Sequence, residues 1–210
     1  MKNFIRVIAG SVFLLWSTAQ AEIQYGLGFI AGQTDVSGTE TEGTAADTSD
    51  RSKSIKEFFV GADLFVEYVA DNGYAYGVSY VPLDVELGSG ERTDVSGDGS
   101  ENDSGTRSAS ADVTDLITLY ANVPMGDSGW YALLGYMNTT VTTNETLNES
   151  SYGNADIDGY QVGFGNRSGN FKYEFAYSDF DDISLTATGG GTNTIDADAD
   201  ALTLRLSYGF

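Results

Sequence analysis

The 210-residue chain contains no cysteine, no histidine, only two prolines, and 10 lysines and arginines against 31 acids. Without cysteine it forms no disulfide, the usual brace of a small secreted domain. Its stability must come from elsewhere, such as a closed sheet embedded in lipid. Without histidine or cysteine, a serine nucleophile lacks its usual base. The many carboxylates sit in polar segments that do not pre-organise a site, so the chain is read as a non-enzyme that needs no cofactor. The net charge is −21, and −23 once Lys2 and Arg6, the only charges in residues 1–21, are set aside. That sign excludes nucleic acid and anionic headgroups as direct partners and makes cations the counter-charge. Beyond residue 21 no apolar run approaches the length of a membrane helix, so any membrane residence must come from strands.

The start of the chain is built differently. Lys2 and Arg6 precede an apolar stretch from Val7 to Trp16, followed by Ser17-Thr18-Ala19-Gln20-Ala21. A charged start, a short greasy core and a small-x-small end form the pattern of a cleavable secretory signal. Residues 1–21 are therefore expected to be a signal peptide, and residues 22–210 one β-barrel domain.

Glycine (26), tyrosine (13) and phenylalanine (11) are plentiful, a balance that favours strands. Eight segments alternate with period two, each near the roughly 9–11 residues of a tilted strand crossing a bilayer. They are residues 23–32, 57–69, a segment starting at Tyr74, 113–123, 130–141, 156–166, 171–180 and 199–210. Segment 171–180 is the clearest: Phe171, Tyr173, Phe175 and Tyr177 against Lys172, Glu174, Ala176 and Ser178. After Pro82 the apolar parity shifts to Leu83, Val85 and Leu87, read as a bulge near the membrane surface. Short turns are expected at residues 70–73, 124–129 and 167–170. Long, polar loops are expected at 33–55, 88–112, 142–155 and 181–198, with a composition that favours mobility. Short connections on one side and long ones on the other match the loop asymmetry of outer-membrane barrels.

Run up and down, the strands bring Tyr25, Tyr68, Tyr74, Trp130, Phe171, Tyr208 and Phe210 to one end. Phe29, Phe58, Tyr80, Tyr136, Tyr160 and Tyr177 fall nearer the other. These are two aromatic girdles, as amphipathic rings favour at both membrane interfaces. The chain ends Leu202-x-Leu204-x-Leu206-x-Tyr208-x-Phe210. With the leader and the eight strands, this ending resembles the small Gram-negative outer-membrane β-barrels, the OmpA/OmpX-like group that includes the opacity-type adhesins. The resemblance implies an all-β, eight-stranded antiparallel up-and-down transmembrane barrel in the outer membrane. It also implies that Leu206, Tyr208 and Phe210 form the insertion signal read by the barrel-assembly machinery. It fixes no ligand.

An eight-stranded barrel is just wide enough for side chains to fill. The inward parity selects Asp63, Glu67, Lys172, Glu174 and Arg205, which are expected to pair as a charge network plugging the lumen. Three acids against two bases leave a narrow cation path as the competing reading. The expected function is a non-enzymatic surface barrel with a filled lumen and acidic loops, for envelope integrity, adhesion or shielding. The alternative is a narrow porin-like channel or small-molecule transporter. Asp94-x-Ser96-x-Asp98-Gly99 resembles half a calcium loop, but its twelfth position is Gly105 where a bidentate Glu is needed. No specific metal site is expected; divalent cations are expected diffusely at the loops, where they can link to lipopolysaccharide. Asn138, Asn144 and Asn148 sit in glycosylation-type triplets and are read as ordinary polar loop residues.

Overall fold

The computed structural model describes residues 22–44, 47–94, 105–146, 151–188 and 193–210. The leader and most of the half-formed calcium loop lie outside the described residues. Among them there is no helix, and every strand pairing is antiparallel. The strands are β1 (Glu22–Thr44), β2 (Asp47–Val69), β3 (Ala75–Val81), β4 (Val85–Asp94), β5 (Gly105–Pro124), β6 (Trp130–Glu145), β7 (Asn154–Ser168), β8 (Phe171–Phe180), β9 (Ile183–Thr186) and β10 (Thr194–Gly209). Two staves of the barrel are each broken in two. β4 continues above β3 and pairs with β5, and β9 continues above β8 and pairs with β10. Pairing of β1 with β10 closes a ring of eight staves.

Closure is what the chemistry of the strands requires. In hydrocarbon each unpaired amide costs several kcal/mol, and only a ring without edges avoids that loss. In the membrane band the outward set is Ile23, Tyr25, Leu27, Phe29 on β1, Val60, Leu64, Val66 on β2, Tyr160, Val162, Phe164 on β7 and Leu202, Leu204, Leu206 on β10, all exposed. A soluble monomer does not present so large an apolar belt to water. The lower girdle is tightly clustered: Phe210 stacks on Tyr25 at 6.1 Å, and Tyr208 meets Phe171 at 5.0 Å and Phe210 at 5.1 Å. At the upper level Tyr136 meets Tyr160 edge-on at 5.7 Å. Tyr68, Tyr80 and Tyr136 are half-buried, whereas Tyr74, Trp130 and Tyr177 are exposed.

The long connections differ from expectation. Residues 33–44 and 47–55 are strand, in continuous register from Gln33↔Phe58 to Thr44↔Asp47. β4 and the first part of β5 likewise form a hairpin. β1 and β2 have 23 residues each, about twice a membrane crossing, so the barrel wall continues well beyond the bilayer. Asn138 and Asn144 lie in β6, in that wall, and donate to Asp158 (2.9 Å) and Asp112 (2.9 Å). Thr140 donates to Asp156 at 2.7 Å and Thr41 to Asp50 at 2.9 Å. Above the bilayer the outer face is therefore a set of polar cross-strand pairs.

There the polarity of the cylinder inverts. Leu87, Val113, Val141, Tyr152, Ile157, Ile183, Leu185 and Ala187 form a buried cluster, with Val36, Ile195 and Ala197 packed against it. The parity shift after Pro82 follows from this. Leu87 points inward on the same odd parity as the buried Ala75 and Val81; the apolar side has changed because water, not lipid, now lies outside. Leu83 is exposed, in the break between β3 and β4. The register also shifts between Glu86 and Gly88 on β4, the bulge expected after Pro82, and on β5 between Thr114 and Ile117, where Asp115 takes a left-handed φ of 54° and accepts a hydrogen bond from the Tyr80 hydroxyl at 2.9 Å.

A charge on the lipid face should therefore be costly and one on the upper wall should not. Leu204→Arg is expected to lower unfolding free energy by about 2–4 kcal/mol, and Ser184→Arg by no more than about 0.5 kcal/mol. Urea titration in lipid vesicles, read by tryptophan fluorescence and by gel mobility without boiling, measures both.

Candidate functional site

The lumen holds two stacked environments. The lower one is ionic. Glu67 is 1 % exposed and Asp63 0 %, both on the inward parity of β2. Lys172 Nζ lies 2.9 Å from Glu67 Oε2, and Arg167 reaches Glu67 Oε1 at 2.9 Å. Arg205, on β10, grips Glu174 of neighbouring β8 through Nε and NH2 and donates from NH1 to Asp63 Oδ2 at 3.1 Å. All five residues selected by parity thus lie in one lumen layer. Buried charges are tolerable only when paired and hydrogen-bonded, and two tyrosines complete the set. Tyr120 donates to Glu67 at 3.1 Å and Tyr131 to Glu174 at 2.8 Å. Lys172 Nζ also sits 3.9 Å above the Phe65 ring.

Glycine makes room for these rings. A Cβ on Gly77 would lie 2.4 Å from Tyr120 Cζ, and one on Gly165 would lie 2.7 Å from Tyr131 Cζ. Smooth inner-wall positions opposite large rings account for part of the glycine content.

Arg167 corrects the sequence reading. It was placed in the third short turn, but that turn is only Gly169-Asn170, with Gly169 at φ 59°. Arg167 belongs to β7, and besides Glu67 it donates to Gln24 at 2.9 Å. The signal was available: Gly163, Gly165 and Arg167 share one parity. With it the ionic layer holds three acids and three bases among the described residues, so the imbalance that favoured a cation path disappears.

The upper environment is apolar and was not anticipated. A partly open cavity of about 530 Å³ lies between the extended hairpins, lined by Val36, Ile55, Leu87, Val141, Ile183 and Leu185 among others. A smaller cavity of about 80 Å³, lined by Phe59, Gly61, Val81, Leu133 and Met137, lies between it and the ionic layer, and Leu87 borders both. A Cβ on Gly61 would meet nothing within 4 Å, although the residue is buried. Tyr152 closes over one side of the large cavity. Its hydroxyl donates to Glu40 at 2.6 Å and its amide to Glu145 at 3.1 Å. Burial and that bond to Glu40 push the Tyr152 phenol above its ordinary pKa. Among the described residues no group of three or more acids, histidines or cysteines is placed to hold a metal ion.

This is the fold and surface of a small eight-stranded outer-membrane β-barrel of the Gram-negative kind. The chain is similar to AlkL, an outer-membrane protein solved in lipid bilayers, with a TM-score of 0.56 and 12% identity over 92% of this chain and 93% of that one. It is also similar to OprG of Pseudomonas aeruginosa, with a TM-score of 0.49 and 15% identity over 89% and 97% of the two chains. For Ail, the attachment invasion locus protein of Yersinia pestis, the TM-score is 0.45 with 12% identity over 90% and 99%. No family model and no curated protein sequence matches the chain. At such identities the AlkL likeness establishes the fold alone.

The ionic layer yields a direct test. Arg205→Met leaves Glu174 and Asp63 buried without their cation and should lower stability by about 3–5 kcal/mol. Adding Asp63→Asn and Glu174→Gln should restore most of that loss. Urea unfolding of the three proteins in the same vesicles measures it.

Proposed function

We propose that the protein is a non-enzymatic surface barrel of the outer membrane, closed at its floor, which holds an acidic cylinder above the lipid for envelope integrity, adhesion or shielding. The observation that carries this reading is the neutral, hydrogen-bonded network of Asp63, Glu67, Glu174, Lys172, Arg167 and Arg205 across the lumen. Moving an ion through it would require breaking several buried pairs, each of which costs several kcal/mol to separate. Residues 1–21 act as the export signal, and Leu206, Tyr208 and Phe210 are read by the assembly machinery before insertion.

The exposed charge supplies the rest of the reading. Asp179, Asp181, Asp182, Asp198 and Asp200 gather at the break between β8 and β9, beside the middle of β10. Asp198 sits against Asp182, whose hydrogen bond and negative charge raise the Asp198 pKa. Divalent cations relieve that repulsion and link this acidic patch of the wall to anionic lipopolysaccharide. The sign is fixed by the shift. A raised carboxyl takes up its proton first as pH falls, so cation attraction at this patch weakens on acidification.

Single-channel recording in planar bilayers tests the closed floor. No sustained steps are expected. Sustained cation-selective steps that vanish in Asp63→Asn with Glu67→Gln would replace this reading with a channel. Binding to lipopolysaccharide-containing vesicles should need magnesium, be released by a chelator, and weaken when Asp181, Asp182, Asp198 and Asp200 are changed together to Asn.

A further inference from the structure

We infer that the mouth of the barrel binds a small, soluble phosphate ester, whose dianionic phosphate is held by Lys53 of β2 together with Arg92 and Arg107 of the β4–β5 hairpin. The site goes beyond the surface role proposed above and does not depend on the closed floor.

The distribution of cations is the first observation. Of the 10 lysines and arginines, two lie in residues 1–21. Arg167, Lys172 and Arg205 are engaged in the ionic layer, and Lys56 pairs with Asp35 on the outer wall. The other four, Arg51, Lys53, Arg92 and Arg107, all stand in the upper parts of β2, β4 and β5. They also share one face. Arg51 and Lys53 have the parity of Ile55, and all three line the large cavity, the upper chamber. Arg107 has the parity of Ala109, Ala111 and the buried Val113, and Arg92 is its register partner. All four positions therefore fall on the inner side of the wall. The alternate parity of β5 and β10 carries Asp112, Asp196 and Asp198. The outside of the cylinder is acidic, and this sector of its mouth has the opposite sign. Glu40 and Glu145, acids along the same chamber, are both engaged by Tyr152. Glu91 has the alternate parity to Arg92.

The second observation is the pairing itself. Arg92 and Arg107 are directly opposed across the β4–β5 ladder. Like charges at such positions repel. An oxyanion shared by two guanidinium groups converts that repulsion into attraction, because each guanidinium is a fork of donors matched to phosphate. The next pair down on this parity is Gly90↔Ala109, both small. A Cβ on Gly90 would have one neighbour within 4 Å, Lys53 Nζ at 3.1 Å. An ammonium group thus lies over the small-residue floor directly beneath the arginine pair. It has three donors, and the Ser89 carbonyl takes one at 3.2 Å.

The third observation is the room beside that floor. A recess of about 730 Å³ is bordered by Gly90 and Ala109 and continues past Ser89, Ser108, Asn144 and Thr146. Hydroxyls and an amide suit the polar, sugar-like body of an ester and not a greasy one. The mouth is open to a dissolved molecule, whereas phosphates carried by lipopolysaccharide stand outside the wall.

The test uses the full mature chain in amine-oxide micelles, which carry no phosphate. Glycine and alanine amides are labelled for NMR, and glucose 6-phosphate is the probe. Saturable shifts are expected at Gly90 and Ala109, and none at Gly163 or Gly165 near the ionic layer. Glucose alone should bind at least about tenfold more weakly. Arg92→Gln with Arg107→Gln should weaken binding at least about tenfold. Lys56→Gln, on the outer wall, should leave it unchanged. Arg107→Glu replaces the like pair by an opposite one and serves should the double variant not fold; it should abolish binding. Absence of saturable shifts, the same shifts from potassium chloride at matched ionic strength, or unchanged affinity in these arginine variants overturns the site.

Two further arms separate the alternatives. Without ligand, Arg107→Gln relieves a like-charge pair and should raise the urea midpoint of unfolding; a fall shows that the arginines brace the wall and overturns the pair as a ligand device. Lipopolysaccharide vesicles bearing core phosphates should leave Gly90 and Ala109 unmoved. Shifts from those vesicles and not from glucose 6-phosphate overturn the soluble source.

Discussion

One constraint governs the molecule: a peptide group cannot be left unpaired in hydrocarbon. A sheet satisfies it only by closing on itself, and the β1–β10 ladder, running from Gly26↔Gly209 to Thr41↔Thr194, performs the closure. Once the sheet is a ring, the strand period of two sorts side chains into lipid and lumen with no further choice. Leu204 and Leu206 are outside because Arg205 and Thr203 are inside, and the reverse is equally true. The final strand can end on an aromatic because its last outward positions reach the interface, where Tyr208, Phe210, Tyr25 and Phe171 pack on one another.

The ring then has to solve two opposite problems with the same wall. In the bilayer its outside is apolar, and a lumen too narrow for a water column is filled by charges that neutralise one another. Above the bilayer its outside meets water, and the interior becomes the apolar side. Val141 and Glu174 show the exchange. Both point inward and both are buried, but one packs in the upper cluster and the other accepts from Tyr131 and Arg205 in the lower layer. The interior changes from charged to apolar across the Phe59–Met137 cavity, whose lining also includes Glu174 and Arg205.

Much of this was legible in the chain. Parity alone selected the strands, their outward faces and the five lumen charges, because each lies in a segment where one period persists for eight or more residues. Parity also carried Arg167, and it was lost to a rule about turns: Ser-Gly-Asn reads as loop chemistry, although only Gly169-Asn170 turns. The extension of β1 and β2 was hidden for a different reason. Strand prediction weighs apolar alternation, and residues 37–41 and 50–54 face water on one side and a partly open chamber on the other, so they present Ser, Thr, Gly and charge on both faces. Val36, Ile55, Ile183, Leu185 and Ile195 are isolated apolar residues in polar context. Each is too sparse to announce a strand alone, and they meet only when the hairpins are wrapped into a cylinder.

The break at Pro82 shows how the two regimes meet. A missing ladder deep in the lipid band would expose amides to hydrocarbon at several kcal/mol per group. Irregular backbone at membrane depth is tolerated where it lines a cavity, and the strand ends at this break border the cavity beneath the chamber. Below it, Leu64↔Tyr80 restores the ladder, while the exposed Phe58 and Val60 above that pair are still apolar. Between β2 and its neighbour the wall is sealed by a backbone ladder from Leu64 downward and by Ile55 and Lys53 higher up. A wall held by side chains is the weaker of the two, and the β2–β4 join is of that kind; the β7–β9 join also lacks a ladder but keeps the backbone bonds of Asp181 to Asp158 and of Ser151 with Thr188.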